Sequence, residues 1–237
     1  MNSKKTTNKF TFIAIISTLL TACSPAEKTA DSTNPQPKAT INQAASIENS
    51  EGHLSEKYQA ILDGFPVADP KLDQPINISD KKSATGLNDL EKLAKFISGP
   101  TNKESKELAQ KFQKEIDKAQ TSKSDIPSVE LNGLIKELEA FAEKVKQDVN
   151  KLDLQDEEMK ETADRIRLST ELSTQSMIYT LQNINFVKNI DETNVEGATF
   201  AKEAGQKALE LRNKIDQNGK VISESFSKLS DKYLDTK

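Results

Sequence analysis

The chain has 237 residues and a net charge of −4, from 37 acidic and 33 basic side chains. This balance argues against nucleic-acid binding, which needs lysine and arginine clustered against phosphates. Hydrophobic residues make up 35% of the sequence and tryptophan is absent, which favours a thin core such as that of an elongated helical bundle. The single cysteine excludes an intrachain disulfide, so we expect stability to come from packing.

The N-terminal residues have the pattern of an export signal. Three lysines precede an apolar run of 11 residues from Phe10 to Leu20. That run is shorter than the roughly 20 residues that span a bilayer, and it is typical of a secretory signal. The next residues, Leu20-Thr21-Ala22-Cys23, resemble the lipobox of bacterial lipoproteins. The resemblance implies that signal peptidase II removes residues 1–22 and that Cys23 carries the lipid anchor.

The same resemblance implies a location. Ser24 follows the cysteine, and in bacteria with two membranes a lipoprotein without Asp at this position is usually delivered to the outer membrane. We therefore expect a lipid-anchored protein on the periplasmic side of the outer membrane. Residues 23–50 are rich in Pro, Ser, Thr and Asn, so we expect a disordered tether whose root-mean-square span is roughly 30 Å.

Residues 51–237 are predicted to form one helical domain. Apolar residues from Leu54 to Leu62 recur at helical spacing and end at Asp63-Gly64, which predicts a short helix. Prolines then interrupt residues 65–78, although apolar side chains continue through them. This pattern predicts an extended segment packed across the domain, with a strap that recognises a partner as the alternative.

Two further helices follow. The spacing of Leu87, Leu90, Ala94 and Ile97 predicts a helix from about residue 85 that stops at Gly99-Pro100. Thr101 and Glu104 then have the spacing of a capping box for a helix that ends near residues 121–125.

The longest apolar pattern begins after Pro127, which suits the first turn of a helix. It continues to Val187, and residues 134–196 contain neither Gly nor Pro. One long helix and two shorter helices both fit this pattern. Basic residues before Asp153 and acidic residues at 156–158 match the dipoles of one helix ending and another beginning. We therefore predict a break near Asp153.

A last long helix is predicted from the seam that runs from Phe200 to Tyr233 and includes Ile215, Ile222 and Phe226, which we expect to be buried. Asp191–Asn194 and Gly197 are predicted to form the turn before it. Because a short turn between two long amphipathic helices makes them antiparallel neighbours, the predicted fold is all-α. It is an elongated antiparallel bundle with long, coiled-coil-like helices.

Few residues suggest a site. Five small hydroxyl residues fall at or beside seam positions where leucine is expected: Ser169, Thr170, Ser173, Ser176 and Thr180. Such residues can bond to the carbonyl four residues earlier and let helices pack closely; the alternative is a region where the bundle opens to a partner. Asp156-Glu157-Glu158 is interpreted as a helix start rather than a cation site.

No catalytic or cofactor motif is recognised, so we expect no enzyme activity, no cofactor and no metal. His53 is interpreted as a surface residue because it is the only histidine and has no partner motif. The terminal Lys237 resembles the lysine by which the major murein lipoprotein of enteric bacteria is joined to peptidoglycan. That likeness implies a possible covalent link, and a solvated chain end is the other interpretation.

Together these features predict an envelope lipoprotein that serves as a protein-binding or scaffolding module. The expected partners are the membrane, through the lipid, and an envelope protein whose identity the sequence does not give. The alternatives are a lipid-active or pore-forming helical protein and a peptidoglycan-linked envelope protein.

Overall fold

The computed structural model describes residues 54–191 and 194–234. Within these ranges every regular element is helical, which confirms the predicted all-α fold. The predicted signal peptide, Cys23, the tether, His53 and Lys237 lie outside the described residues. The helices are α1 (Glu56–Asp63), α2 (Gly86–Ser98), α3 (Pro100–Thr121), α4 (Ser128–Lys151), α5 (Glu157–Lys188) and α6 (Val195–Leu234), with a short 3-10 helix at Pro70–Asp73.

The two longest helices, α5 and α6, run antiparallel. They have 32 and 40 residues, and at about 1.5 Å per residue the longer one extends roughly 60 Å. Phe186 packs edge-on against Phe200 near the turn between them. At the opposite end the Tyr233 hydroxyl donates to Asp156 Oδ2 at 2.8 Å. The predicted antiparallel pairing is therefore confirmed, and it sets the length of the bundle.

Two main clusters of buried side chains divide the core. One joins α3, α4 and the C-terminal half of α5, and its most buried members include Phe112, Leu138 and Leu181. The other joins α2, the N-terminal half of α5 and the C-terminal half of α6. The predicted core residues Ile215, Ile222 and Phe226 are all buried. Apolar burial in these clusters thus holds α5 at two separate places along its length and α6 in its C-terminal half, while smaller clusters hold the rest of α6.

The break predicted near Asp153 is present between α4 and α5. Asp153 has φ of 45°, a left-handed conformation that Asp tolerates better than most residues. Asp156 is the N-cap of α5, since its Oδ1 accepts from the backbone N–H groups of Glu158 at 3.0 Å and Met159 at 3.1 Å. The acidic run 156–158 therefore begins a helix, where negative charge is favoured.

Two local predictions were wrong. The capping box at Thr101 and Glu104 does not form, because Gly99 is the N-cap and α3 starts at Pro100. A proline is favoured at that first position, where its missing N–H costs nothing. Glu104 instead pairs with Lys144 of α4.

Gly197 was predicted in the turn but lies in the first turn of α6. A Cβ atom at this position would come within 2.1 Å of the Asp191 carbonyl oxygen, so only glycine fits. The backbone N–H of Gly197 donates to Asn194 Oδ1 at 2.7 Å. Asn194 therefore supplies the helix start.

Candidate functional site

Residues 65–78, here called the strap, lie along the groove between α5 and α6. Leu72 is only 4% exposed and packs in one cluster with Leu168 and Leu172 of α5 and Leu211 and Ile215 of α6. These four residues form the apolar floor of what we call the strap groove. The predicted packing of this segment across the domain is therefore confirmed, although Pro70–Asp73 forms a 3-10 helix rather than extended chain.

The N-terminal part of the described chain follows α5 for most of its length. The backbone N–H of Ser55 donates to Glu196 Oε1 at the start of α6, and Tyr58 packs against Phe186 and Phe200. At the other end the Ser83 hydroxyl donates to Asp156 Oδ2 at 2.6 Å. The chain therefore enters at the end that holds the α5–α6 turn, here called the entry end, and reaches the end that holds the α4–α5 break, here called the far end.

Arg165 of α5 holds the strap by its backbone. Its Nη1 donates to the carbonyl of Leu72 at 3.2 Å, and its Nη2 donates to the carbonyl of Gln74 at 2.6 Å. Nη1 also donates to Asn218 Oδ1 of α6 at 3.0 Å, and Asn218 Nδ2 in turn donates to the carbonyl of Lys214. One side chain therefore links the strap to both long helices.

The position of Arg165 is costly for a charged group. The residue is 3% exposed, and burial lowers the pKa of its guanidinium, although the nearby carboxylates Glu161 and Asp164 oppose the shift. Buried charges are tolerated when their hydrogen bonds are satisfied. Here the strap carbonyls supply part of that satisfaction, so Arg165 and the strap stabilise each other.

Charged side chains flank the strap on both helices. Lys71 of the strap pairs with Asp164 of α5 at 3.1 Å, and Asp73 of the strap pairs with Lys214 of α6. An open surface groove of about 390 Å³ lies beside this region. Acidic and basic side chains both line this surface groove. The lining residues are Lys71, Gln74, Glu157, Lys160, Glu161, Asp164, Arg165 and Leu168. The strap therefore lies between an apolar floor and a solvent-exposed rim of charged side chains.

A buried polar cluster lies at the far end. Asp156 Oδ2 accepts from the hydroxyls of Ser83 and Tyr233. Burial raises the pKa of Asp156, but these two hydrogen bonds, the backbone N–H of Met159 and the charge of Lys232 together outweigh it, and the pKa lies below its ordinary value. The aromatic ring of Tyr233 fits against Gly86, where a Cβ atom would come within 2.0 Å of it. The cluster thus joins the start of α2 to the ends of α5 and α6.

Asp89 of α2 is a second buried acid in this cluster, with 0% exposure. Its Oδ2 accepts from the backbone N–H groups of Gln155 at 2.7 Å and Asp156 at 2.8 Å. Burial raises the pKa of Asp89, but these backbone bonds, together with side-chain bonds from Lys92 and Thr85, outweigh it and keep the pKa below its ordinary value. Both acids therefore stay charged and hold helix ends together, which is a structural role.

The predicted contact residues of α5 lie inside the bundle. Ser169, Ser173 and Ser176 are buried, and Thr170 and Thr180 are partly buried. The hydroxyls of Thr170, Ser173 and Thr180 each donate to the carbonyl four residues earlier, at 2.8–2.9 Å. The close-packing interpretation describes this conformation, and a partner contact at these side chains would require α5 to separate from its neighbours.

Sequence reasoning missed Arg165 and the far-end cluster. Asp89 and Asp156 are 67 residues apart in sequence, and nothing local marks either as buried. A usable signal existed for the groove, since Asn218 interrupts the apolar seam of α6 between Ile215 and Ile222. A polar residue at such a position indicates a buried partner.

Comparison with protein-family models, curated proteins and solved structures finds no match for this chain. Among the described helices, none is long and apolar enough to cross a membrane. In the same ranges, 54–191 and 194–234, no group of His, Cys, Asp and Glu is arranged to hold a metal ion. The strap groove is therefore the candidate site, because it already binds a segment of extended chain.

Proposed function

We propose that the protein is a lipid-anchored envelope protein whose helical bundle binds or scaffolds another protein on the periplasmic side of the outer membrane. The sequence Leu20-Thr21-Ala22-Cys23 carries the anchor, through its resemblance to a lipobox. A single acyl chain binds a membrane only marginally, at roughly 10⁴ M⁻¹, whereas two or more anchor it stably. The several chains of a lipoprotein would therefore hold the bundle at the membrane permanently.

The strap groove is the observation that supports protein binding. Its apolar floor and Arg165 hold an extended peptide by side chains and by backbone carbonyls, the two kinds of contact by which proteins recognise extended segments. One large apolar side chain of the strap itself is exposed, Val67 at 87%. The groove and this side chain offer a surface on which a partner chain can pack.

Lipid labelling of cells that produce the full chain tests the anchor. We expect wild-type protein to incorporate a labelled fatty acid and to fractionate with outer membranes. Cys23→Ala removes the acceptor, so it should abolish the label and block cleavage of residues 1–22. Ser24→Ala, next to the cysteine, is the matched control and should be labelled and cleaved like the wild type.

Normal cleavage of an unlabelled wild-type chain would contradict the anchor.

The binding role is tested separately by cross-linking in living cells. A photoreactive residue at the exposed Val67 should give a defined adduct with an envelope protein, while one at exposed Lys106 of α3 should give none. The same adducts at both positions would show random collision rather than a binding surface.

A further inference from the structure

We propose that the strap groove is a binding site for an extended peptide segment of a partner protein, and that the strap is its replaceable intrachain occupant. This inference rests on the proposed protein-binding function and assigns it a place on the molecule. The partner segment would displace residues 65–78 and take over their contacts with α5 and α6.

The groove recognises features that another chain can supply. The hydrogen bonds of Arg165 to the strap go to the carbonyls of Leu72 and Gln74, and every peptide segment presents carbonyls. The apolar floor receives one deeply buried side chain, Leu72, and Ile76 is the next buried residue, four positions later. Main-chain contacts of this kind give affinity, while side-chain pockets give specificity.

The charges beside the floor narrow the class of partner. Asp73 follows the buried leucine and faces Lys214, and Lys71 precedes it and faces Asp164. A fitting segment therefore has a basic residue, a large apolar residue and an acidic residue in succession, with a second apolar residue four positions after the first. A segment with an acidic residue in place of the basic one, or a basic residue in place of the acidic one, would bind less well because like charges would then face each other.

The strap is built so that it can leave. Pro66, Pro70 and Pro75 have no N–H to donate, and the regular structure of the strap is limited to the four-residue 3-10 helix at Pro70–Asp73. Its release would return water to the guanidinium of Arg165, which offsets part of the lost contacts. Segments that open most readily have few buried apolar contacts and little backbone hydrogen bonding.

The groove does not depend on its occupant. Both main core clusters hold α5, and the second also holds α6; their buried members include no strap residue, although the partly buried Ile78 packs against the second cluster. Leaving the groove empty therefore exposes the four floor residues, which lose Leu72, while the buried members of the two main clusters keep one another as partners. An open groove of this composition is a docking surface for an extended chain rather than the start of unfolding.

Hydrogen exchange on the wild-type full chain gives the first test. Backbone amides of residues 67–78 should exchange at least ten times faster than the buried amides of α5 near Leu168 and Leu172. Exchange of both sets at one common rate would show that the strap leaves only when the bundle unfolds, and would overturn the proposal.

Peptide binding gives the second test. The probe is a fluorescent peptide with the sequence of residues 65–78, added to the full chain and followed by anisotropy. The double substitution Leu72→Ala and Ile76→Ala loosens the intrachain strap, so this variant should bind the probe at least tenfold more tightly than the wild type. Asn77→Ala changes an exposed strap residue outside the proposed motif and should behave like the wild type.

A probe in which serine replaces Leu72 and Ile76 should not bind the loosened variant. The proposal is overturned if the loosened variant keeps its helical circular dichroism but does not bind the intact probe, or if it binds both probes equally. It is also overturned if the loosened variant forms a stable dimer, because the occupant would then be a second copy. None of these outcomes bears on lipid labelling of Cys23, so the anchor stands or fails separately.

Discussion

The two faces of α5 are held by different forces. Towards α3 and α4, α5 packs through Met177, Leu181 and Ile184 into a core of apolar side chains. Towards the strap it offers Arg165, with Leu168 and Leu172 beside it. The first face gains its stability by removing apolar area from water, at about 25 cal/mol per Å². The second adds hydrogen bonds and ion pairs, whose net contributions are small because water competes for the same groups.

This comparison distinguishes the contacts of the apolar core from the contacts of the strap, for which water competes. Removing a helix from the apolar core would expose side chains that have no other partner. Removing the strap exposes a small apolar floor, but it also exposes a charge and polar groups that water can solvate. Three substitutions test this contrast. One lies in the core, one lies at the far end, and one is at the α5 residue that holds the strap.

The largest effect is expected at Leu138 of α4, which is 0% exposed in the core with α3 and α5. Leu138→Ala should lower the free energy of unfolding by about 2–5 kcal/mol, because it removes buried methyl groups and leaves a cavity. Val129 lies on the same helix and is 81% exposed, so Val129→Ala should change it by less than about 0.5 kcal/mol. Equal denaturation midpoints for the two variants would show that this face of α4 is not a core.

A smaller, pH-dependent effect is expected at Asp156. Its pKa and those of Asp89 and Glu158 are lowered in the folded protein. Such groups stabilise the fold above their unfolded pKa values, about 4, and the contribution disappears as pH falls through the lower folded values. Stability should therefore be nearly flat from pH 7 to pH 5 and should fall below pH 4.

Asp156→Asn should lower stability at pH 7 by about 1–3 kcal/mol, because buried donors lose a charged acceptor. It should also make the acid decline shallower. Glu157→Gln changes an exposed neighbour and should keep the wild-type pH profile. If Asp156→Asn and the wild type lose stability in parallel below pH 4, Asp156 is not an origin of the acid sensitivity.

The smallest effect on stability is expected at Arg165. Arg165→Lys keeps the charge but cannot reach two carbonyls and Asn218 together, so it should cost about 1 kcal/mol. Its main consequence should be local, with faster hydrogen exchange at residues 72–74 and unchanged exchange in α3 and α4. Arg167→Lys alters a partly exposed arginine nearby and serves as the control. Uniformly faster exchange throughout the bundle would mean that Arg165 supports the core rather than the strap.

Apolar periodicity predicted the helices because it depends on residues three and four apart. It placed the seam of Ile215, Ile222 and Phe226 correctly, and the change from basic to acidic side chains located the break at Asp153. The capping box at Thr101 was wrong because Pro100 and an extended Gly99 offered a start two residues earlier. Local patterns therefore predicted the elements well and their boundaries less well.

The candidate site was harder to predict because its contacts join distant residues. Arg165 reaches Leu72 across 93 positions and Asn218 across 53, and no local spacing marks such a triad. The prolines and apolar residues of 65–78 did indicate a packed segment, but not which helices it crosses. Cys23 and Lys237 lie outside the described residues, so the lipid anchor and the peptidoglycan link remain predictions.

The path of the chain from Ser55 to Ser83 has a mechanical consequence. This segment runs parallel to α6, with its first residue at the entry end and its last at the far end. A pull on residue 54 along the bundle axis therefore loads its contacts in shear, many at once. A pull at right angles instead separates them one after another, beginning at Ser55. The direction of a force applied at residue 54 would thus decide whether the bundle resists it or opens under it.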